Sequence, residues 1–153
     1  MPKEIEFQFK SPNESPGYLL GQLTMLWQRK QKRVLDPLNI THTQFVLLAA
    51  LGWLGKKSDV VTQVDIATQS NSDRMMVSKV LRTLEDKNFI SRHEHPTDTR
   101  AKVIKLTDAG ADILQQALSA VENADIEFFS VLGDKLPSFN KNMVYLTEEN
   151  KED

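Results

Sequence analysis

Cysteine is absent from this 153-residue chain, so no disulfide staples it and no thiol senses redox state. No run of apolar residues is long enough to span a bilayer. The first ten residues, Met1 to Lys10, lack the apolar centre of a signal peptide. The chain therefore reads as cytoplasmic, without a membrane partner. It has no activated-nucleophile motif, no glycine-rich phosphate loop and no paired-carboxylate signature, so an enzyme is not expected and no cofactor is implied. A basic excess is missing too. The net charge is −2, which taken alone speaks against a nucleic-acid binder.

The distribution of charge changes that picture. Residues 72–105 hold eight Lys/Arg and five acids, a local balance of +3. Residues 106–153 hold three bases and ten acids, a balance of −7. A basic centre on an otherwise acidic chain fits a protein that shows DNA one surface only. Scatter of this size also occurs in proteins with no such partner. The length suits one domain with a proper core, and 40% hydrophobic with 26% charged residues is ordinary for a globular protein.

Start and stop signals divide the chain into short helices. Residues 1–16, with Pro2, Pro12 and Pro16, read as a flexible arm without a firm helix. A helix is expected from Gly17 to about Leu35, stopped at Asp36 and Pro37 because proline disfavours helix in the residue before it. Thr41 and Gln44 have capping-box spacing, with Ile40 and Phe45 placed as a staple, and open a helix to about Trp53. Thr62 and Asp65 repeat the signal for a helix to about Gln69. A polar turn, Ser70 to Asp73, then leads into a helix ending near Asp86. Two short helices across a tight turn make a helix-turn-helix, or any helical hairpin in a bundle.

That last helix has two faces. Val77, Val80, Leu81 and Leu84 form an apolar stripe, while Met75, Ser78, Lys79 and Arg82 repeat the spacing about half a turn away. An anchored helix that presents donors and positive charge suits a major groove. Phe89 to Glu94 and Ala101 to Leu106 are strand candidates around Pro96-Thr97-Asp98-Thr99. Asn88 can take the left-handed conformation that closes a helix. Thr107 is placed as the N-cap of a long helix. Its apolar positions Leu114, Ala117, Val121, Ala124, Phe128 and Val131 form a heptad-like seam expected to pack on another helix, in a second subunit for instance. Gly133 and Asp134 should break it, and one more short helix is expected around Phe139, Met143, Tyr145 and Leu146. Residues 147–153 read as an acidic, disordered tail.

Three runs together carry a resemblance: Leu81 to Arg92 (LRTLEDKNFISR), Pro96 to Lys102 (PTDTRAK) and Leu106 to Gly110 (LTDAG). They resemble the multiple-antibiotic-resistance regulator (MarR) family, and the likeness spans about residues 17–146. It implies a mainly α fold with a small β-wing, a single winged helix-turn-helix domain over 17–146. Its DNA-binding lobe would be about 40–106 and its dimerisation helices about 17–35 and 107–146. The implied protein is a homodimeric transcription factor. In the family's pattern Ser78 and Lys79 fall where bases or phosphates are contacted. Arg100 matches the wing arginine that enters the minor groove, and Asp98 the carboxylate that braces it. Asn88 stands where glycine is usual, and Met75 and Met76 stand near where small hydroxyl residues are more common.

The candidate DNA-binding set is therefore Ser72, Arg74, Met75, Ser78, Lys79 and Arg82 on the helix, with Asp98, Arg100 and Lys102 on the wing. Lys79 and Arg82 would position the helix on phosphates; an ordinary solvated face is the alternative. The family often holds a small aromatic or phenolic effector between the dimer helices and the reading lobe. Tyr18, Trp27, His42, Phe45 and Trp53 are candidates to line that pocket, and plain core aromatics are the alternative. His93 and His95 would share one strand face. Two histidines and no cysteine fall short of a closed metal site, and no metal is expected. The expected function is a repressor of a pseudo-palindromic operator, with half-sites roughly 10 bp apart, released by a small ligand. The rivals are a winged-helix protein–protein module and a metal-responsive regulator using the two histidines.

Overall fold

The first five α-helices each start where the chain supplies a side-chain cap. In the computed structural model, which describes residues 2–152, α1 runs Pro16–Leu35 with Ser15 as its cap, and α2 runs His42–Gly55. Thr41 Oγ1 accepts from the Gln44 amide and Gln44 Oε1 accepts from the Thr41 amide, both at 3.0 Å, a complete capping box. Thr62 and Asp65 repeat it for α3, Gln63–Ser70, at 3.2 and 2.9 Å. Asp73 caps α4, Arg74–Asp86, by accepting from Met76 N at 2.9 Å. Each such cap contributes about 1 kcal/mol.

Asparagine closes these elements. Asn39, Asn71 and Asn88 sit at φ 58°, 52° and 64°, the left-handed region that glycine would otherwise fill. At Asn88 the Phe89 amide reaches back to Leu84 O at 3.0 Å, which ends α4 and launches the hairpin. The end of α1 differs in cause from the expectation. Asp36 stays right-handed helical (φ −53°, ψ −44°) although proline follows it. Asp36–Leu38 tightens into a 3₁₀ turn with Pro37 near its start, and Asn39 ends it.

Strands β1 (Ile90–Glu94) and β2 (Lys102–Leu106) pair antiparallel, Ile90 opposite Leu106 and Glu94 opposite Lys102. A third extended piece joins them: Thr62 bridges Val103, and Ile104 N donates to Val61 O at 2.8 Å. This tie holds the hairpin to the start of α3. The order of elements and the hairpin are those of a winged helix-turn-helix.

The long helix α5, Asp108–Phe129, grows from the hairpin through a dense joint. Thr107 Oγ1 donates to Asn88 O (2.7 Å) and accepts from Gly110 N (2.9 Å), and Thr107 N donates to Phe89 O (3.1 Å). A Cβ on Gly110 would lie 1.8 Å from that same Phe89 oxygen. The Leu-Thr-x-x-Gly run is thus the mould of this joint. One core joins Leu35, the apolar face of α2, Ile66, the stripe Val77/Leu81/Leu84, Ile90, Ile104 and α5.

Three expectations change here. The seam on α5 is largely spent within the chain: Leu114, Ala117, Val121 and Ala124 are buried, with α5 packed on α1 and α2. Only its end remains open, with Val131 90% exposed. The seam is used up because α1 and α2 reach it first. α5 gives way to a 3₁₀ turn at Ser130, and Gly133 (φ 54°) kinks that turn; the last helix is not short: α6 runs Leu136–Glu149, 14 residues, three of them in the stretch read as a disordered tail. Finally, β1 stops at Glu94, so His95 belongs to the wing turn and does not share a strand face with His93.

Candidate nucleic-acid interface

The geometry of the reading helix follows from its burial. Val77, Leu81 and Leu84 are fully buried and fix the rotation of α4. The opposite pole then presents Met75, Lys79 and Arg82, with Arg74 one side of it, all exposed. Met75 is 83% exposed, an unusual place for a large apolar side chain. Ser78 is half-buried on the flank. Ser72 belongs to the turn, where its hydroxyl donates to Ser70 O at 3.3 Å, while its amide bonds Ala67 O at 2.9 Å. Its hydroxyl is therefore already engaged in holding the turn.

At the wing tip, Asp98 Oδ1 accepts from the Arg100 amide at 3.0 Å and meets its Nε at 3.5 Å. Asp98 thus shapes the turn through the backbone and only loosely guides the guanidinium. The Arg100 side chain is 92% exposed. A permanently charged planar group held out on a hairpin is suited to a narrow groove of negative potential. Lys102 is paired across the hairpin with Glu94 at 2.8 Å, a bond that also holds the Glu94 carboxyl below its usual pKa.

Two of the basic residues in this segment serve the fold. Arg92 turns inward: its Nη2 donates to Gln63 Oε1 at 2.6 Å, while its buried Nε stands 4.0 Å from Glu85, too far for a hydrogen bond. It ties β1 to the starts and ends of α3 and α4. Lys87 donates to Asn39 O at 2.8 Å and so reaches back to the turn before α2. Among the described residues, Arg74, Lys79, Arg82, Arg100 and Lys105 make no ion pair other than the loose Arg100–Asp98 contact. These carry the positive charge that faces outward.

The wing also holds its own brace. His95 Nδ1 accepts from the amides of Thr97 (3.2 Å) and Asp98 (3.0 Å). His93 Nε2 contacts Ser91 Oγ at 2.8 Å. Each histidine thus has a nitrogen engaged locally, and no group of three or more His, Asp or Glu comes together among the described residues.

The five aromatic candidates do not share one cavity. Trp27 and His42 meet edge to face at 5.0 Å, and His42 and Phe45 lie 6.5 Å apart. Beside them Asp125 Oδ1 accepts from Trp27 Nε1 (2.8 Å) and Gln31 Nε2 (2.9 Å). Burial lowers the pKa of His42, and Asp125 opposes that shift. A cleft of about 430 Å³ opens next to His42, between α1 and the start of α2, with Gln28, Lys32, Thr43 and Lys87 in its walls. Tyr18 stands elsewhere, in a cleft shared with Phe7 and Phe9. Trp53 is half exposed under Lys56 and Lys57. Asp125 and Gln31 escaped the sequence reading. Their signal is polarity at seam positions: Gln31 one turn after Trp27, Asp125 beside Ala124.

Comparison with known proteins places this geometry. The profile of the MarR family matches residues 40–102. A Bacillus subtilis protein described as an uncharacterized HTH-type transcriptional regulator, YdcH, is 43% identical over 127 residues, which is 83% of this chain and 86% of that one. The fold is similar to that of S. aureus MepR in its DNA complex, with a TM-score of 0.79 and 26% identity over 88% of this chain and 98% of that one. It is also similar to CouR from Rhodococcus jostii RHA1 bound to p-coumaroyl-CoA: TM-score 0.74, 17% identity, covering 89% and 93%. At that identity the likeness is one of fold.

Proposed function

Because the chain belongs to the MarR family of DNA-binding transcriptional regulators, we propose that it is a homodimeric repressor of a pseudo-palindromic operator, relieved by a small aromatic or phenolic ligand. The observation that carries this reading is the outward set on one lobe: Met75, Lys79 and Arg82 on the free pole of α4, and Arg100 held out on the wing. Arg74, Ser78 and Lys102 flank it. Asp98 and Ser72 shape the two turns that present it. The lobe of residues 40–106 reads DNA in the cytoplasm, and residues 17–35 with 107–146 build the dimer. Residues 1–16 and 147–153 lie outside that domain.

In this reading two copies of α4 enter successive major grooves about 10 bp apart. Lys79 and Arg82 neutralise phosphates, and Arg100 reads minor-groove shape. The ligand enters beside Trp27, His42 and Phe45, where the dimer helices meet the reading lobe; CouR with its bound p-coumaroyl-CoA supports the chemical class. A ligand that favours a dimer with misplaced reading heads lowers DNA affinity by its differential affinity alone.

The test is selection of bound sequences from random duplexes, followed by affinity against salt for the wild type and Arg100→Ala. A recovered inverted repeat, steep salt dependence and weaker binding by the variant are expected. Equally weak, salt-insensitive binding by both proteins sinks the DNA reading and leaves a protein–protein module.

A further inference from the structure

The fold treats the two methionines at the start of α4 oppositely. Met76 packs against the core, while Met75 is 83% exposed. A single bare apolar side chain says little by itself. Its place says more. The other exposed methionines, Met25 and Met143, lie on α1 and α6, the helices assigned to the dimer. Met75 is the second residue of α4, with Arg74 before it and Lys79 and Arg82 one and two turns further along the same pole. The first turn of a reading helix is the part that approaches base edges. That turn is set in advance, because the Asp73 carboxylate accepts from Met76 N at 2.9 Å.

The chemistry of the side chain restricts what it can recognise. A thioether donates no hydrogen bond and accepts only weakly, so it cannot read the donor and acceptor pattern of a base edge. One apolar group projects into the major groove, the C5-methyl of thymine. Methionine is unbranched and polarizable, so its end can follow such a methyl through small changes in the pose of the helix. Lys79 and Arg82 bind phosphates whatever the sequence, so they do not supply a choice of base.

We propose that Met75 determines specificity for one thymine in each half-site, with its Sδ and Cε resting on the C5-methyl in the major groove. This rests on the DNA-binding reading above and assigns one base within it.

The test uses the operator recovered by selection, remade with deoxyuridine at each thymine in turn, in both half-sites together. Deoxyuridine keeps O4 and the base pair and lacks only the methyl. At one position per half-site the wild type is expected to bind about tenfold more weakly, roughly threefold for each methyl. Met75→Ala is expected to bind the thymine and deoxyuridine duplexes within about twofold of each other at that position. Alanine is the best helix former, and the site is exposed, so the variant keeps its helical content. Met75→Leu retains an apolar end and is expected to retain the discrimination. A cytosine at that position weakens wild-type binding, and 5-methylcytosine is expected to regain about threefold per half-site. Because Met75 is neutral, its removal leaves the slope of log affinity against log salt unchanged.

Equal losses on deoxyuridine in the wild type and Met75→Ala at every position overturn the assignment and leave DNA binding standing. A recovered operator with no fixed thymine in its half-sites does the same. A wild type that selects no sequence and binds weakly without salt dependence overturns the DNA reading, and the thymine assignment with it.

Discussion

Replacing Gly110 by alanine tests the joint on which the wing and the reading helix depend. In an ordinary helix the change stabilises by about 1 kcal/mol through backbone entropy. Here the added Cβ would lie 1.8 Å from Phe89 O, 2.8 Å from Phe89 C and 3.1 Å from Phe89 Cα. All three are backbone atoms, so no side-chain rotation relieves the clash. Either α5 or the start of the hairpin must move by more than an ångström. The same Phe89 oxygen accepts the Thr107 amide at 3.1 Å, so the movement strains that bond and the Thr107 cap together. Overpacking costs about 1–3 kcal/mol and a lost bond to a shielded group about 1–3 more, against the 1 kcal/mol gain. The net expectation is a loss of about 1–5 kcal/mol, centred near 3.

Gly55→Ala is the matched control, because a Cβ there meets nothing within 4 Å. It should be neutral or stabilise by a few tenths of a kcal/mol, since it ends a helix. Urea and thermal unfolding followed by circular dichroism, at one protein concentration, compare the two. The expected fall in melting temperature for Gly110→Ala is roughly 5–15 °C. If Gly110→Ala unfolds within about 0.5 kcal/mol of Gly55→Ala, the mould argument fails.

Three further outcomes follow from the same geometry. Arg100→Ala should weaken operator binding at least tenfold while changing stability by under about 1 kcal/mol, because an exposed pair contributes little; a filter-binding titration beside a thermal melt checks both halves. Lys79→Ala and Arg82→Ala should each reduce the slope of log affinity against log salt by about 1 and weaken all sequences alike, which separates phosphate contact from base reading in a salt series. Burial holds His42 below its ordinary pKa of 6.5, so the unfolded chain binds the proton more readily than the folded one. Stability is therefore full above about pH 6.5 and is lost as pH falls through that value, until the folded-state pKa is passed. Denaturant midpoints between pH 7.5 and 5 should show this fall, and His42→Gln should flatten it.

Much of this fold can be read in advance because its signals are local. Thr41/Gln44, Thr62/Asp65 and Thr107 cap within three residues of themselves, and Asn88 closes α4 with its own backbone. The two faces of α4 follow from spacing alone. Long-range choices are less legible. The seam on α5 has the same spacing whether it meets α1 of its own chain or a neighbour, so periodicity could not assign its partner. Arg92 and Arg100 are both arginines of one hairpin, yet one reaches in to Gln63 and the other stands in solvent. Only the pairing of β1 with β2 and the approach of α3 separate them. The aromatic candidates lie apart within one chain for the same reason. Tyr18 and Trp27 lie nine residues apart on one helix, about 13 Å by helical rise, too far to share a small ligand.

The Asp125 cluster explains how a ligand site in the proposed dimer would reach the reading heads. One carboxylate oxygen holds both Trp27 and Gln31 of α1, and Trp27 in turn packs on His42 at the first turn of α2. Helix α2 supports α3 and α4 through the common core. Gln31 is fully buried, and its Oε1 has no hydrogen-bond partner among the described residues. An unpaired buried acceptor costs about 1–3 kcal/mol. An arrangement that satisfied it, by a ligand donor or a rotated Trp27, would recover that energy. About 1.4 kcal/mol of difference between two dimer geometries already changes their ratio tenfold. Removing the acceptor with Gln31→Leu, close in volume, should therefore leave the fold intact, loosen Asp125, and shrink the effect of any inducing ligand on operator affinity. Equal ligand effects in wild type and variant would show that this joint does not couple the two sites.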